Sequence, residues 1–244
     1  MLDIIGITCA ATYDRLQGFC GSLKPLVSAN DIRGVRLVLN HDIPLHDESM
    51  FDETLWSSHL ADISHILMLN IARSNRVSLD SLAFDTSRFF PPRRLKAAEK
   101  SLLLKHYKAL SIGTNMSLIL EDDARFKNES NDLDSLLEVI RYAETTESFL
   151  DFGEYPGLQS RGSQVFISND IAVYQLPVAC TRTTVAYALP IHVRRRMIEC
   201  YWPCSLPADL HHQYLLNKLR IPGLWPVRSF FHHLSFGEVS SSIQ

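Results

Sequence analysis

The chain has 244 residues, 46% of them hydrophobic, and a formal net charge of -3. That length suits one domain over 1–244 with a core that needs no disulfide or metal staple, and the apolar fraction excludes a disordered chain. The mildly acidic balance excludes nucleic-acid binding through bulk charge, and no apolar run approaches the ~20 residues of a membrane-spanning helix.

In chain order, Asp3 to Cys9 is a short apolar run that predicts a buried strand. Asp14 to Val27 carries Leu16, Phe19, Cys20, Leu23 and Leu26 at helical spacing, with Pro25 set to end or kink the helix. Val35 to Leu39 reads as a second strand, so a parallel βαβ unit is expected. Asp52 to Arg73 has the pattern of a helix, and 75–92 that of a surface loop ending in Pro91-Pro92. A helix over 95–110 carries the stripe Leu95, Leu102, Leu103, Tyr107 and Leu110. Met116 to Leu120 reads as a central strand and 132–142 as a helix. Gln164–Ile167 and Ile171–Gln175 suggest a hairpin around Asn169-Asp170. Val185 to Leu189 is a further strand, and 192–201 and 209–219 are helices. Alternation of this kind predicts a mixed α/β fold.

The five cysteines, Cys9, Cys20, Cys180, Cys200 and Cys204, form neither a CxxC pair nor an even framework. They read as reduced thiols of a cytoplasmic protein, most of them small core residues. Met1-Leu2-Asp3 opens no secretory signal. The clusters Arg93-Arg94 with Lys96, and Arg194-Arg195-Arg196, read as solvated faces. They could otherwise hold an anionic acceptor or touch anionic lipid, with the chain peripheral to the inner face of a membrane.

The strongest chemical signal is the apolar strand that stops at Glu121-Asp122-Asp123. Adjacent carboxylates raise one another's pKa unless a cation neutralises them. Hard oxygen ligands at a strand end suit Mg2+ or Mn2+, and open α/β sheets bind ligands beyond the carboxyl ends of their strands. A solvated turn is the simpler alternative. Glu99 and His106 lie two helical turns apart, about 10.5 Å along the axis, so they share a face without bonding each other. Either each satisfies a nearby backbone group, or both reach a site beside the acidic strand. Of the adjacent pairs His211-His212 and His232-His233, at most one member each can enter a site. Asp209 follows Pro207-Ala208 and is placed either to cap a helix or to face a site from its first turn.

The stretch Glu99-Lys100-Ser101, His106, then Leu118-Ile119-Leu120-Glu121-Asp122-Asp123 resembles glycosyltransferase family 25, which includes lipopolysaccharide and collagen galactosyltransferases. Leu102 stands at the family's Cys position and Lys105 at the Ser before its His. Ile7-Thr8-Cys9 with Asp14-Arg15 is similar to the family's opening strand and Glu-Arg pair, with Thr8 in place of Asn. Phe149 to Gly153, Thr184 to Pro190 with Tyr187, Pro207-Ala208-Asp209 and Ser240 to Ile243 are similar to further family segments. The resemblance implies a GT-A-like nucleotide-sugar-binding fold with a mixed central sheet flanked by helices. It implies a metal-dependent inverting hexosyltransferase that moves galactose or glucose from a UDP-sugar to a hydroxyl of a glycan or lipid-linked, lipopolysaccharide-type acceptor. The site residues it suggests are Asp209 as base with Glu99 and His106; Thr8, Arg15, Glu121 and Asp122 for the donor; and Asp123, Asp122 and His233 for Mn2+ or Mg2+, His232 being the other candidate from its pair. Two other classes fit the acidic strand end: a metal-dependent phosphotransferase or hydrolase, and a catalytically degenerate sugar-nucleotide-binding protein, which the departures at Leu102 and Lys105 would favour.

Overall fold

The computed structural model describes residues 1–8, 13–29, 31–39, 48–63, 90–129, 131–153, 162–168, 171–176 and 183–234. The chain is α/β, with a large mixed sheet of eight strands flanked by helices. Strand β1 (Leu2–Ile7) lies between β2 (Ile32–Val38) and β3 (Met116–Glu121), parallel to both. The βαβ unit expected from the sequence is therefore present. Next to β3 runs antiparallel β8 (Ala186–Leu189), then β5 (Phe149–Asp151), β9 (Gly223–Pro226), β7 (Ile171–Leu176) and β6 (Ser163–Ser168). Strands β6 and β7 form the expected antiparallel hairpin; its turn, Asn169-Asp170, lies outside the described residues.

Both faces of the central strands are covered, which is why they read as apolar runs without polar alternation. Ile5, Ile7 and Ile119 point into one core layer, and Leu2, Ile4, Leu118 and Leu120 into the other. The first layer is closed by α3 (Ala97–Ile112), α5 (Ile191–Glu199) and α6 (Ala208–Lys218). The second is closed by α1 (Tyr13–Ser22) and α4 (Asp132–Thr145). Fully burying a residue such as Leu118 contributes about 1.5–3 kcal/mol relative to leaving it in water.

The single helix expected over 14–27 is two. Helix α1 ends at Ser22, and α2 (Lys24–Val27) restarts with Pro25 in its first turn, where a missing N–H costs nothing. The helix expected from Asp52 begins as a 3-10 turn, Glu53–Leu55, and is helical over 56–63; its continuation and most of the loop over 75–92 lie outside the described residues. Several elements were not foreseen, β9 in the large sheet among them. The strand β4 (Ala124–Phe126) follows the acidic turn, and it pairs antiparallel with β10 (Phe231–His233). Among the described residues no helix is long and apolar enough to cross a membrane.

Three of the five cysteines lie among the described residues. Of the described thiols only Cys204 is buried; Cys20 is exposed and Cys200 partly so, while Cys9 and Cys180 lie outside the described residues. Arg194 departs from a solvated face. It is 3% exposed and donates to the Thr114 carbonyl at 3.3 Å.

Helix α1 sits close on β1 because Gly6 has no side chain. A Cβ there would fall 2.7 Å from both Phe19 Cε1 and Leu37 Cδ2. Phe19 is a fully buried ring that has nowhere to retreat. The variant Gly6→Ala should therefore lose about 1–3 kcal/mol of stability through overpacking. Urea unfolding reads this as a lower midpoint at unchanged slope; an unchanged midpoint would show that the layer can give.

Candidate functional site

In the parallel trio β2-β1-β3, the carboxyl ends share one edge of the sheet. β5 runs the same way as β3, and β8 runs opposite, so its amino end meets that edge too. The register Leu120↔Ala186 therefore brings Thr184 level with the acidic turn. A cleft of about 500 Å³ opens here. Its polar residues include Glu99, Glu121, Asp123, Thr184, Asp209 and His233. Trp56, Phe90, Pro91, Leu102 and Leu210 form an apolar wall. Five of the residues singled out from the sequence thus meet across about 134 positions of chain, Glu99 to His233. Thr8, Arg15, Asp122 and His106 stand behind the lining.

The three carboxylates of the turn have different surroundings. Asp122 is 1% exposed. It accepts from Thr8 Oγ1 at 2.8 Å and pairs with Arg15 Nε at 3.3 Å. Arg125 ties the same turn to α1, donating to the carbonyls of Asp122 at 2.6 Å and of Arg15 at 3.1 Å. The positive charge that the triplet demands is thus supplied in part by Arg15, which also reaches Asp123 Oδ2 at 3.4 Å. That same Asp123 oxygen lies 3.0 Å from His233 Nε2.

The β4–β10 ladder explains this meeting. His233 is opposite Ala124, and the Leu234 N–H donates to the Asp123 carbonyl at 3.1 Å. Alternation along β10 decides between the two histidines: His232 is exposed, and His233 faces the cleft. Asp123 and His233 are donors of the kinds that hold Mg2+ or Mn2+. Among the described residues no group of three His, Cys, Asp or Glu side chains is placed to hold a metal. A two-residue donor set fits an ion whose remaining positions are filled by a substrate's oxygens.

Glu121 ends β3. Its Oε1 accepts from Thr184 Oγ1 at 2.5 Å and lies 3.3 Å from His106 Nε2. His106 is fully buried, and its Nδ1 is 2.9 Å from the Tyr187 hydroxyl. Burial, reinforced by the charge of Glu121, pushes the Tyr187 phenol well above its ordinary pKa. His106 therefore touches the site through Glu121 and does not line the cleft.

Glu99 takes both roles left open by the sequence. It accepts the Lys96 N–H at 2.8 Å at the start of its own helix, and it lines the cleft. Burial alone would raise its pKa, but the fork of Arg93, at 2.7 and 2.5 Å, and the Lys96 N–H hold it below the usual carboxylate range. Arg93, read from the sequence as part of a solvated cluster, is thus committed to Glu99; it also sits 5.3 Å over the Trp56 ring.

Asp209 lies in the first turn of α6, and Pro207 takes the cap position. A carboxylate at a helix start ordinarily has a lowered pKa, and Asp209 departs from that. The Leu210 N–H does donate to Oδ1 at 2.9 Å, but burial outweighs it, and Glu121 and Glu99 add repulsion. The pKa rises to about 6. Of two further candidate acids, Asp151 is fully buried and accepts the Gly153 N–H at 2.7 Å, and Glu154 is outside the described residues.

His211 and His212 are both fully buried, so neither enters the cleft. His211 Nε2 donates to the Tyr201 carbonyl at 2.8 Å. Burial pulls its pKa down to about 3 and that of His212 well below the ordinary value. Trp56, Thr184 and Arg93 were not identified as site residues in the sequence, because nothing in their local pattern distinguishes them from core, strand-end and surface positions. A scan against models of known protein families gives no match to this chain, and no curated protein matches it.

The raised pKa of Asp209 has a sign that can be measured. Between its unfolded value of 3.8 and about 6, the folded chain holds a proton that the unfolded chain has lost. The cost of the charged carboxylate is absent below 3.8, grows between 3.8 and about 6, and is constant above. Asparagine keeps the acceptor for Leu210 and carries no charge. The melting temperature of Asp209→Asn relative to the unchanged chain should therefore rise from pH 4.5 to about 6 and then level off. A gap that stays flat with pH would show that Asp209 keeps an ordinary pKa.

Proposed function

We propose that this chain is an inverting glycosyltransferase with a GT-A-like fold that moves a hexose from a UDP-sugar to a hydroxyl of a glycan-type acceptor. The observation that carries the reading is what one cleft brings together: Asp123 beside His233, and Asp209, whose pKa burial pushes up to about 6. The parallel β1–β3 core, the antiparallel β8 and the C-terminal histidine returned to the acidic turn by a small ladder also suit this reading.

Asp123 and His233 would hold Mn2+ or Mg2+, which when bound supplies charge neutralisation at a departing diphosphate. Arg15, 3.4 Å from Asp123, adds fixed positive charge on the same side. Thr8 and Asp122 hold Arg15 and the turn in place. Asp209 takes the proton of the acceptor hydroxyl as its oxygen attacks the anomeric carbon. One displacement inverts that carbon, so a single base suffices. A carboxylate at about 6 is a better base than one at 3.8 and is still mostly ionised at neutral pH. The apolar wall of Trp56, Phe90 and Leu102 would face the acceptor and exclude water, which would otherwise compete as nucleophile.

Incubation with UDP-galactose or UDP-glucose, Mn2+ and candidate glycan acceptors tests this directly. Asp209→Asn should keep sugar-nucleotide affinity while transfer falls ~10²-fold or more. In the unchanged chain, kcat/KM should drop as pH falls through about 6, because the base becomes protonated. Near-normal transfer by Asp209→Asn would remove it from the mechanism.

Removal of the ion gives a second test. Asp123→Ala should lose cation-dependent UDP binding while the fold persists, because Asp122 keeps Arg15 and Thr8. Full transfer in excess EDTA would exclude the metal. Phosphate release without sugar transfer would favour hydrolysis.

A further inference from the structure

Glu121 lines the cleft with its side chain 12% exposed. Both hydrogen bonds of its carboxylate to described residues fall on Oε1, from Thr184 at 2.5 Å and from His106 at 3.3 Å. Oε2 is the oxygen left to face the cleft. The donors also differ in kind from those of its neighbours. Asp122, Asp123 and Glu99 each pair with an arginine. Glu121 is held by a hydroxyl and an imidazole.

The proton on that imidazole follows from counting donors. Tyr187 is fully buried, and among the described residues its hydroxyl meets one hydrogen-bond partner, His106 Nδ1 at 2.9 Å. A buried O–H needs an acceptor, so Nδ1 carries the lone pair and the ring proton sits on Nε2. Nε2–H then donates to Glu121 Oε1. Tyrosine to histidine to carboxylate is a row in which every donor has one acceptor and no cation is present. Tyr187 is itself fixed, stacked on Phe149 at 5.2 Å. The row therefore orients the carboxylate and leaves its charge intact for a ligand; an arginine would have oriented it and neutralised it.

We propose that His106 and Tyr187 are positioning residues that hold Glu121 with Oε2 presented to a hydroxyl of the donor sugar. This rests on the glycosyl-transfer reading. The sugar is the part concerned because Glu121 lines the cleft together with Asp123, on the diphosphate side, and Asp209, on the acceptor side. Between a diphosphate and an attacking hydroxyl lies the transferred ring. Its hydroxyls are donors, which a fixed, charged acceptor oxygen would select and orient.

Three variants and one spectrum test it. Tyr187→Phe removes the hydroxyl and keeps the stack on Phe149. His106→Gln keeps an N–H at the reach of Nε2. His106→Leu keeps neither partner. In 15N-detected NMR of the unchanged chain, His106 should show the Nε2–H tautomer. Tyr187→Phe should bind UDP as the unchanged chain does but UDP-sugar about 10-fold more weakly, with kcat/KM lowered at least as much. His106→Leu should lose about 100-fold, and His106→Gln should recover most of it. UDP lacks the transferred hexose, so a merely structural role would weaken UDP and UDP-sugar alike; that result overturns the proposal. An Nδ1–H ring, with sugar-nucleotide binding intact, overturns the relay alone. Failure of the unchanged chain to bind any sugar nucleotide overturns the transfer reading, and the sugar contact with it.

Discussion

The site depends on the burial of one charge. Asp122 is nearly inaccessible to water, and a carboxylate in that position is costly unless it is paired and hydrogen-bonded. Thr8 at the end of β1 and Arg15 on α1 meet that need. Their geometry joins the first strand, the first helix and the central strand at one point, 114 residues apart in sequence for Thr8 and Asp122. Because Gly6 lets α1 lie close on β1, the guanidinium reaches both Asp122 and Asp123. The turn is thereby held, and the carboxylates on either side of Asp122 are left to address the cleft.

Around that fixed point, the acids of the site separate by what holds them. Asp122 and Glu99 are matched by arginines, and Glu99 is kept below the usual range by Arg93 and the Lys96 N–H. Among the described residues Asp209 has only backbone N–H groups against burial and two like charges, and its pKa climbs. Pushing neighbouring carboxylates apart in pKa gives one chain both fixed anions and a proton acceptor near neutral pH. Apolar Trp56, Leu102 and Leu210 share the cleft lining with Glu99 and Asp209.

Behind the cleft, α6 and the stretch from Tyr201 pack aromatic rings and imidazoles into the core. His212 lies edge-on to Tyr187 at 5.4 Å, and Tyr201 donates to the Leu103 carbonyl at 3.1 Å. Burial keeps His211 and His212 neutral. This layer is buried and closely packed, which suits a platform for His106 and Glu121.

Much of the scaffold was legible in the residues alone. Apolar runs of strand length, helical stripes over 95–110 and 132–142, and the break at Pro25 reflect local sterics and periodicity, so they identify β1, β3, α3 and α4 within a few residues. The acidic strand end was legible too, because three adjacent carboxylates are expensive anywhere. The sequence could not determine which charge answers each of them. Whether Arg15 or a metal faces Asp122, whether His232 or His233 reaches Asp123, and whether Arg93 is solvated or clamped on Glu99 are questions of distance between residues far apart in the chain. Short strands such as β4 and β10 carry no periodicity of their own and exist because they pair with each other. The pKa of Asp209 shows the limit most plainly. Its place at a helix start argued for a lowered value, and only the tertiary structure decided otherwise, because desolvation and repulsion depend on what the fold packs around a group and not on its neighbours in sequence.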